Sequence, residues 1–282
     1  YAGIEYRQSR QVTQALKIIS RPGTEKIVRY AFEFATNNKR KKVSCFVKDN
    51  IMKITDGMFH KIFNEIGEEY PDLEKEVWIV DIGAAKLATT PEQFDVIVME
   101  NLYGDILSDV TAQMTGSVGL AGSANIGEEF AMFEAIHGSA PKRAGQNSAN
   151  PSGLLLGAVM MLVHIGQPDI AAKVHNAWLK TLEDGIHTYD VNDEVHHTTP
   201  VGTKEFAQAV IERLGQKPST FKVIEYSSNP SHRVDSVTEK KQAEERKDLV
   251  GVDVFLDWSS GKPADLGNML NRIKSENLKL IT

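Results

Sequence analysis

The sequence has almost no cysteine, no long apolar run and no excess of basic residues, and each absence excludes a class of protein. The single cysteine, Cys45, can form neither an internal disulfide nor a cysteine-based metal cluster, which favours a reducing compartment. No stretch approaches the roughly 18 to 20 apolar residues that cross a bilayer, so no membrane partner is expected. Lysine and arginine number 32 against 38 aspartates and glutamates, and the net charge of −6 argues against nucleic-acid binding.

What is present is the composition of an ordinary globular chain, with 282 residues of which 41% are apolar, enough for about two domains. The chain opens on Tyr1 rather than methionine and has no signal-like apolar segment, so we expect that an N-terminal portion is missing from it. It stops at Thr282 where a sheet is predicted to begin, which indicates a cut C-terminus as well. We expect a cytoplasmic location and leave a mitochondrial one open, because a targeting segment would lie upstream.

Short apolar runs alternate with helical patterns over the first 115 residues, an order typical of the α/β class. Strands are predicted at 43–47, 77–80 and 94–99, and the last is a continuous apolar run of the kind buried on both faces. Helices are predicted from a cap at Thr24, through Phe63 and Ile66, over 84–90 and over 104–115.

The second half of the chain is predicted to be mainly helical. Residues 116–127 hold four glycines and are predicted to be a flexible connector between two domains. Helices follow at 151–165, 168–182 and 203–214, the first with Asn150 as its cap. The predicted divisions are a dimerisation arm (1–23), a small α/β domain (24–115), part of a larger domain (116–225), a charged linker (226–247) and the start of a C-terminal strand-helix-strand extension (248–282).

A pair of carboxylates follows the third predicted strand, where open α/β sheets bind ligands. Asp105 and Asp109 are four residues apart, which places both on one face of a helix. Oxygen ligands without cysteine favour Mg²⁺ or Mn²⁺ over zinc. The alternative is that the helix dipole favours Asp105 and that Asp109 merely faces solvent, and spacing alone leaves both possibilities open.

Two further segments carry charged residues with open roles. Lys142 and Arg143 lie among small residues in the segment 137–145 and could hold a phosphate, although a turn with two exposed basic side chains fits equally. The segment matches neither the three-glycine dinucleotide motif nor a P-loop. Lys53 could be a buried catalytic amine, but a surface lysine is the simpler interpretation.

Four stretches of the chain together resemble the β-decarboxylating dehydrogenases, the family of isocitrate and 3-isopropylmalate dehydrogenases. They are YAGIEYR at 1–7, KDNIMKITDGMF at 48–59, VDIGAAKLATTPEQFDVIVMENLYGDILSD at 80–109 and the segment 116–162. The resemblance covers about residues 1–215 and favours the isocitrate-using branch. The tail from about 226 resembles the extra C-terminal domain of a larger bacterial-type subgroup, so the expected fold is part of this family's α/β fold with a C-terminal α+β extension.

The resemblance implies oxidative decarboxylation of isocitrate to 2-oxoglutarate, with hydride transfer to NADP and a divalent metal. Asp105 and Asp109 match metal ligands, joined by Asp81 from the other subunit of a homodimer with shared active sites. Tyr1 matches the tyrosine that protonates the enolate carbon. Lys53 matches a lysine that, from the partner subunit, helps to deprotonate the substrate hydroxyl.

The resemblance also implies a nucleotide site. His137, Gly138, Ala149 and Asn150 match the loop that holds adenosine. Lys142 and Arg143 occupy positions where NADP-using members carry polar or basic groups, so NADP is predicted over NAD. Asp193 opposes this prediction, because some NADP enzymes have an arginine at that position and an acid would repel the 2′-phosphate.

The residues that grip the substrate carboxylates in this family lie upstream of the YAGIE motif and have no counterpart in these 282 residues. We therefore expect no activity from this chain alone. Two alternatives stay open: a 3-isopropylmalate-type or other β-decarboxylating dehydrogenase, and a catalytically inactive fragment that dimerises or serves as an interaction module.

Overall fold

A computed structural model of the chain describes residues 4–191, 200–226, 248, 254, 256, 258–273 and 279. The chain divides into two compact units, one of residues 19–238 and one of residues 1–18 with 239–282. The predicted domains 24–115 and 116–225 both fall within the first unit, and the boundary between them stays a prediction. Most of the predicted linker 226–247 and part of the predicted extension 248–282 lie outside the described residues.

The described elements confirm the α/β class. The strands are β1 (Ile4–Arg7), β2 (Thr13–Leu16), β3 (Lys42–Val47), β4 (Glu74–Ile79), β5 (Val96–Met99), β6 (Gly122–Ile126) and β7 (Ala131–Ala135). The α-helices are α1 (Arg21–Asn37), α2 (Thr55–Gly67), α3 (Val80–Thr89), α4 (Asn101–Met114), α5 (Ser152–His164), α6 (Pro168–Glu183), α7 (Thr203–Glu212) and α8 (Pro263–Leu270). Short 3-10 turns lie at Pro91–Gln93, Val118–Leu120 and Pro141–Arg143.

A parallel three-stranded sheet with the order β4-β3-β5 forms the first half of the larger unit. The central strand β3 is buried from Val43 to Val47 because it has a neighbour on each side. β5 lies at an edge, and only Val98 in it is buried. The prediction that the run 94–99 is buried on both faces is therefore wrong. The strand buried on both faces is the central strand β3.

The core of this half lies between the sheet and helices α1 and α2. Alternate residues of β3 point toward these helices, as the two-residue period of a strand requires. The Phe32 ring stacks against Phe63 and Tyr70, with ring centroids 5.3 and 5.0 Å away. Phe46 points to the opposite face, where a Cβ on Gly83 of α3 would lie 2.8 Å from its ring.

Three helices begin earlier than the apolar pattern predicts. α1 is capped by Ser20, whose Oγ accepts the Gly23 N–H at 3.3 Å, whereas the predicted cap Thr24 is buried inside the helix. α3 begins at Val80, so the predicted strand 77–80 ends at Ile79. α4 begins at Asn101 rather than 104. In each case the first turn is polar or lacks apolar periodicity, so the pattern alone misses it.

Residues 116–127 do not form the predicted flexible connector, because most of them are ordered into a 3-10 turn and strand β6. β6 pairs antiparallel with β7, and this hairpin packs on α5. A Cβ on Gly122 would lie 2.7 Å from the Gly157 nitrogen, and one on Gly157 would lie 2.8 Å from the Glu134 oxygen. The glycines therefore allow close approach of the hairpin to the helix, a role that a strand glycine often has.

Helices α5, α6 and α7 confirm the predicted helical layer, with ends within two residues of the prediction. Their shared core includes Trp178 and Phe206, and the Trp178 Nε1–H donates to Ser152 Oγ at 2.9 Å. α5 begins at Ser152 with Pro151 rather than the predicted Asn150 at the N-cap position, and the Asn150 Oδ1 accepts the Ser152 N–H at 2.9 Å from one residue further upstream. Among the residues that the structure describes, none of the helices has the length and apolar character needed to cross a membrane.

The smaller unit contains the antiparallel hairpin of β1 and β2 and the helix α8. Ile4 pairs with Leu16 and Arg7 with Thr13, which gives the predicted arm a definite hairpin form. An isolated two-stranded hairpin is marginally stable in water. α8 ends at Leu270, and the Asp265 Oδ2 accepts the Lys262 N–H at 2.9 Å at its start.

Candidate functional site

The first group of predicted site residues follows the strand ends at the carboxyl edge of the parallel sheet. β3 ends at Val47, β4 at Ile79 and β5 at Met99, and parallel strands end at the same edge. The Lys53 loop, the first turn of α3 and the first turns of α4 follow these three strand ends. This is the edge at which open α/β sheets bind ligands.

Asp105 and Asp109 lie on α4, one turn apart, and both are exposed. The helix begins directly after β5 because the Glu100 carboxylate caps it, accepting the N–H groups of Leu102 at 2.9 Å and Tyr103 at 3.3 Å. Two accessible carboxylates on one helix face supply the hard oxygen ligands that Mg²⁺ and Mn²⁺ prefer. These residues therefore fit a divalent cation, although two ligands do not complete a site.

Asp81 lies in the first turn of α3 with 66% of its side chain exposed. Its Oδ2 accepts a hydrogen bond from Lys48 Nζ at 2.7 Å, and this bond, with that from the Ile82 N–H, lowers the pKa of Asp81. Within the described residues, no three histidine, cysteine or acidic side chains come close enough to hold a metal together. A third carboxylate for Asp105 and Asp109 is not supplied by this part of the same chain.

Lys53 lies in the turn between β3 and α2, and its side chain is exposed. The buried carboxylate of Asp56 anchors this turn: its Oδ2 accepts the Lys48 N–H at 2.7 Å, and the Asp56 N–H donates to the Met52 carbonyl at 3.0 Å. The turn is thus well ordered, while the Lys53 amine reaches solvent. In the single chain the structure thus agrees with the surface lysine that the sequence favoured rather than with the buried amine.

The second group of predicted residues surrounds one open cavity of about 730 Å³. All six predicted nucleotide contacts line it: His137, Gly138, Lys142, Arg143, Ala149 and Asn150. They come from the segment after β7, the Pro141–Arg143 turn and the start of α5. The volume lies within the range typical of small-molecule and cofactor sites.

A network of polar side chains around Asp190 forms part of the cavity wall. The Asp190 carboxylate accepts hydrogen bonds from the hydroxyls of Ser117 and Thr188 and, at 3.0 Å, from Asn150 Nδ2. Burial opposes ionisation of this carboxyl, but these three bonds outweigh it and lower the pKa of Asp190. The network fixes the amide of Asn150 at the wall.

The mouth of the cavity is basic. Lys142 and Arg143 are exposed, and the Arg143 Cζ lies 5.0 Å from the centre of the Tyr189 ring, a cation–π arrangement. Ala140, just before them, has a φ of +45°, which is uncommon for a residue with a side chain. A doubly charged anion at this mouth would meet two cations.

Sequence reasoning missed four polar or aromatic wall residues: Gln113, Ser117, Tyr189 and Asp190. They lie in separate segments and form no local motif, so no pattern in the sequence identified them. Of the remaining predictions, Tyr1 and Asp193 lie outside the described residues, and the roles assigned to them stay predictions.

Comparison with known proteins places this chain among dehydrogenases. An NADP isocitrate dehydrogenase of Rickettsia bellii is 56% identical over 282 residues, all of this chain and 58% of the relative. An NADP isocitrate dehydrogenase of Thermus thermophilus is 46% identical over 271 residues, 96% of this chain and 54% of the relative. The crystal structure of isocitrate dehydrogenase from Methylococcus capsulatus matches with a TM-score of 0.72 and 42% identity, covering 76% of this chain and 64% of that one.

The chain thus spans little more than half the length of these curated relatives. Its residues 1–210 match the sequence pattern of one family, which agrees with the resemblance of its motifs and with the α/β fold. The chain belongs to the isocitrate/isopropylmalate dehydrogenase family.

Proposed function

We propose that the complete protein oxidises isocitrate and removes its β-carboxylate to give 2-oxoglutarate, with NADP and with Mg²⁺ or Mn²⁺. The single observation that carries this proposal is the cavity of about 730 Å³, since it gathers every residue that the family resemblance assigns to the nucleotide. The names of the relatives, NADP isocitrate dehydrogenases, support the same substrate and cofactor.

The basic mouth of the cavity favours NADP over NAD. Lys142 and Arg143 can pair with the 2′-phosphate that NAD lacks, and charge-assisted bonds to phosphate are the strong ones. Tyr189 supports this use of Arg143 because its ring lies beneath the guanidinium. Asp193 opposes the preference for NADP, because an acid at that position would repel the 2′-phosphate.

Asp105 and Asp109 would hold the divalent cation, with Asp81 of the partner subunit as a further ligand. When bound, the cation polarises the oxidised substrate's carbonyl and stabilises negative charge on its oxygen. The two α4 carboxylates are accessible and one turn apart, which suits this task.

Lys53 and Tyr1 would move the protons. Lys53 of the partner subunit would help to take the proton from the substrate hydroxyl, and bound NADP would accept the hydride from the carbon that carries that hydroxyl. The bond to the β-carboxylate then breaks and releases CO₂, its electron pair forming an enolate. Tyr1 returns a proton to the enolate carbon. The exposed position of Lys53 supports a role outside its own chain.

A second copy of the chain would complete the site by docking on α4. Four exposed apolar residues repeat at intervals of four along this helix and form one stripe: Leu102, Ile106, Val110 and Met114. Ile82 on α3 is 49% exposed, and α3 packs against α4. The stripe is adjacent to Asp105 and Asp109, so burying it against a partner would bring partner residues to the carboxylates. The hairpin arm within residues 1–23 would add a second contact.

Three measurements test this function. Calorimetric titration of the chain should show NADP binding more tightly than NAD, and equal or reversed affinities would contradict the cofactor assignment. Isocitrate-dependent NADPH formation should be absent from these 282 residues, because they contain no counterpart of the residues that grip the substrate carboxylates. The natural full-length protein should turn over isocitrate and not 3-isopropylmalate, and the opposite preference would overturn the substrate assignment.

A further inference from the structure

Lys48 and Asp81 form an ion pair at the carboxyl edge of the sheet that the proposed reaction does not use. The Lys48 Nζ lies 2.7 Å from the Asp81 Oδ2. The sheet dictates this pairing: Val47 and Ile79 are register partners on β3 and β4, and the two charged residues follow these strand ends. The pair is therefore a consequence of the fold rather than of a flexible surface contact.

Lys48 and Asp81 differ in how exposed their side chains are and in how firmly they are held. The Lys48 side chain is 25% exposed, and its backbone is held on both sides: the N–H donates to Asp56 Oδ2 at 2.7 Å, and the carbonyl accepts the N–H of Met52 at 2.8 Å. The Asp81 side chain is 66% exposed. The Lys48 backbone is thus held in place and most of its side chain is covered, while the carboxylate can turn away from the ammonium toward solvent or a second copy.

We propose that Lys48 is a placeholder cation: it occupies the Asp81 carboxylate until a divalent metal ion displaces it. This inference rests on the proposed function, since it takes Asp81 as a metal ligand. Asp81 reaches the metal by leaving the ammonium, and the ammonium, which its anchored backbone keeps nearby, then repels the arriving cation. Lys48 therefore weakens divalent-cation binding while keeping Asp81 paired in the metal-free state.

The test is a Mn²⁺ titration of the chain and its variants at pH 7. Electron paramagnetic resonance measures the concentration of free Mn²⁺ at each point. Lys48→Met removes the ammonium but keeps the apolar stem, and Lys48→Arg keeps the charge. Lys42→Met is the matched control, because Lys42 lies at the opposite end of β3 and pairs with Glu76 of β4 at 3.2 Å. Both methionine variants change the net charge equally.

Lys48→Met should bind Mn²⁺ about three- to fivefold more tightly than the wild type, the size expected for an exposed ion pair. Lys48→Arg and Lys42→Met should bind within twofold of the wild type. In an Asp81→Asn background the effect of Lys48→Met should vanish. Unchanged or weaker binding by Lys48→Met, or an enhancement that persists without the Asp81 carboxylate, would overturn the inference.

The same titrations distinguish a failure of the proposed function from a failure of the inference about Lys48. If Asp81→Asn alone leaves Mn²⁺ affinity unchanged, Asp81 is not a ligand and the metal assignment is wrong. If Asp81→Asn weakens binding but Lys48→Met does not strengthen it, only the placeholder role is wrong. Absence of Mn²⁺ binding by every variant would contradict both.

Discussion

The cavity and the carboxyl edge of the sheet differ in how much of a site one chain supplies. The cavity is walled by residues between 113 and 190 of a single chain, and the Asp190 network fixes part of its wall. The edge presents two exposed carboxylates on α4 and a third, on α3, that is paired with Lys48. Under the proposed function we therefore expect nucleotide binding to need only one chain, and cation binding to need a second copy.

The largest expected effect comes from the apolar stripe on α4. Ile106 is 53% exposed, and a charge there would have to be desolvated in the proposed dimer. Ile106→Glu should therefore weaken self-association about a hundredfold or more, a loss typical of an unpaired charge at an interface centre. Sedimentation velocity measures this loss. Ile211→Glu on α7, at 57% exposure, is the matched control and should leave the dimer intact. Equal behaviour of the two variants would show that the stripe is not the interface.

The next effect concerns the packing that shapes the cavity half. An added methyl at Gly157 of α5 would lie 2.8 Å from the Glu134 carbonyl oxygen, so Gly157→Ala should destabilise the fold by about 1–3 kcal/mol. Gly57 of α2 has no atom within 4 Å of such a methyl, and Gly57→Ala should stabilise by about 0.5–1 kcal/mol. Urea unfolding measures both. A neutral Gly157→Ala would mean that the hairpin does not pack closely on α5.

A smaller effect is expected at the cavity mouth. Replacing both Lys142 and Arg143 by glutamine should reduce the preference for NADP over NAD about tenfold, since two charge-assisted phosphate contacts are lost. Titration calorimetry with both nucleotides measures the ratio of dissociation constants. A double variant at the exposed Lys204 and Lys217 removes the same charge elsewhere. If it lowers the ratio as much, general electrostatics rather than a phosphate contact sets the preference.

The smallest effect is the pH dependence contributed by Asp190. Its pKa is lowered in the folded state, so its stabilisation is present above the unfolded pKa of about 4 and is lost as the pH falls through the folded value. Wild-type stability in urea should therefore decline more between pH 7 and pH 3 than that of Asp190→Asn. The exposed Asp72→Asn should decline as the wild type does. Parallel declines in all three proteins would contradict the role of the network.

Local pattern predicted most of the fold, because strands and amphipathic helices carry their period in contiguous residues. The connector at 116–127 was wrong because glycines that serve close packing and glycines that serve flexibility look alike in sequence. The buried run at 94–99 was wrong because burial depends on strand order, and a parallel sheet places β3 rather than β5 at its centre. Such tertiary information is not local.

Part of the candidate site could likewise be predicted from contiguous residues, and part depends on contacts that only the fold creates. The motif segments predicted nucleotide contacts between 137 and 150, and the structure brings these residues around one cavity. The contact between Ser117 and Asp190 could not be predicted, because the two residues are 73 positions apart and meet only in the fold. The pairing of Lys48 with Asp81 likewise requires the register of β3 and β4, which the sequence does not display.

The contrast between the two regions is tested most directly by titrating Ile106→Glu with NADP and with Mn²⁺ beside the wild type. The variant should bind NADP within about twofold of the wild type, because the predicted nucleotide contacts all line a cavity of one chain. Its Mn²⁺ affinity should fall about tenfold or more. Loss of NADP binding together with Mn²⁺ binding, or retention of both in a monomeric variant, would contradict the contrast.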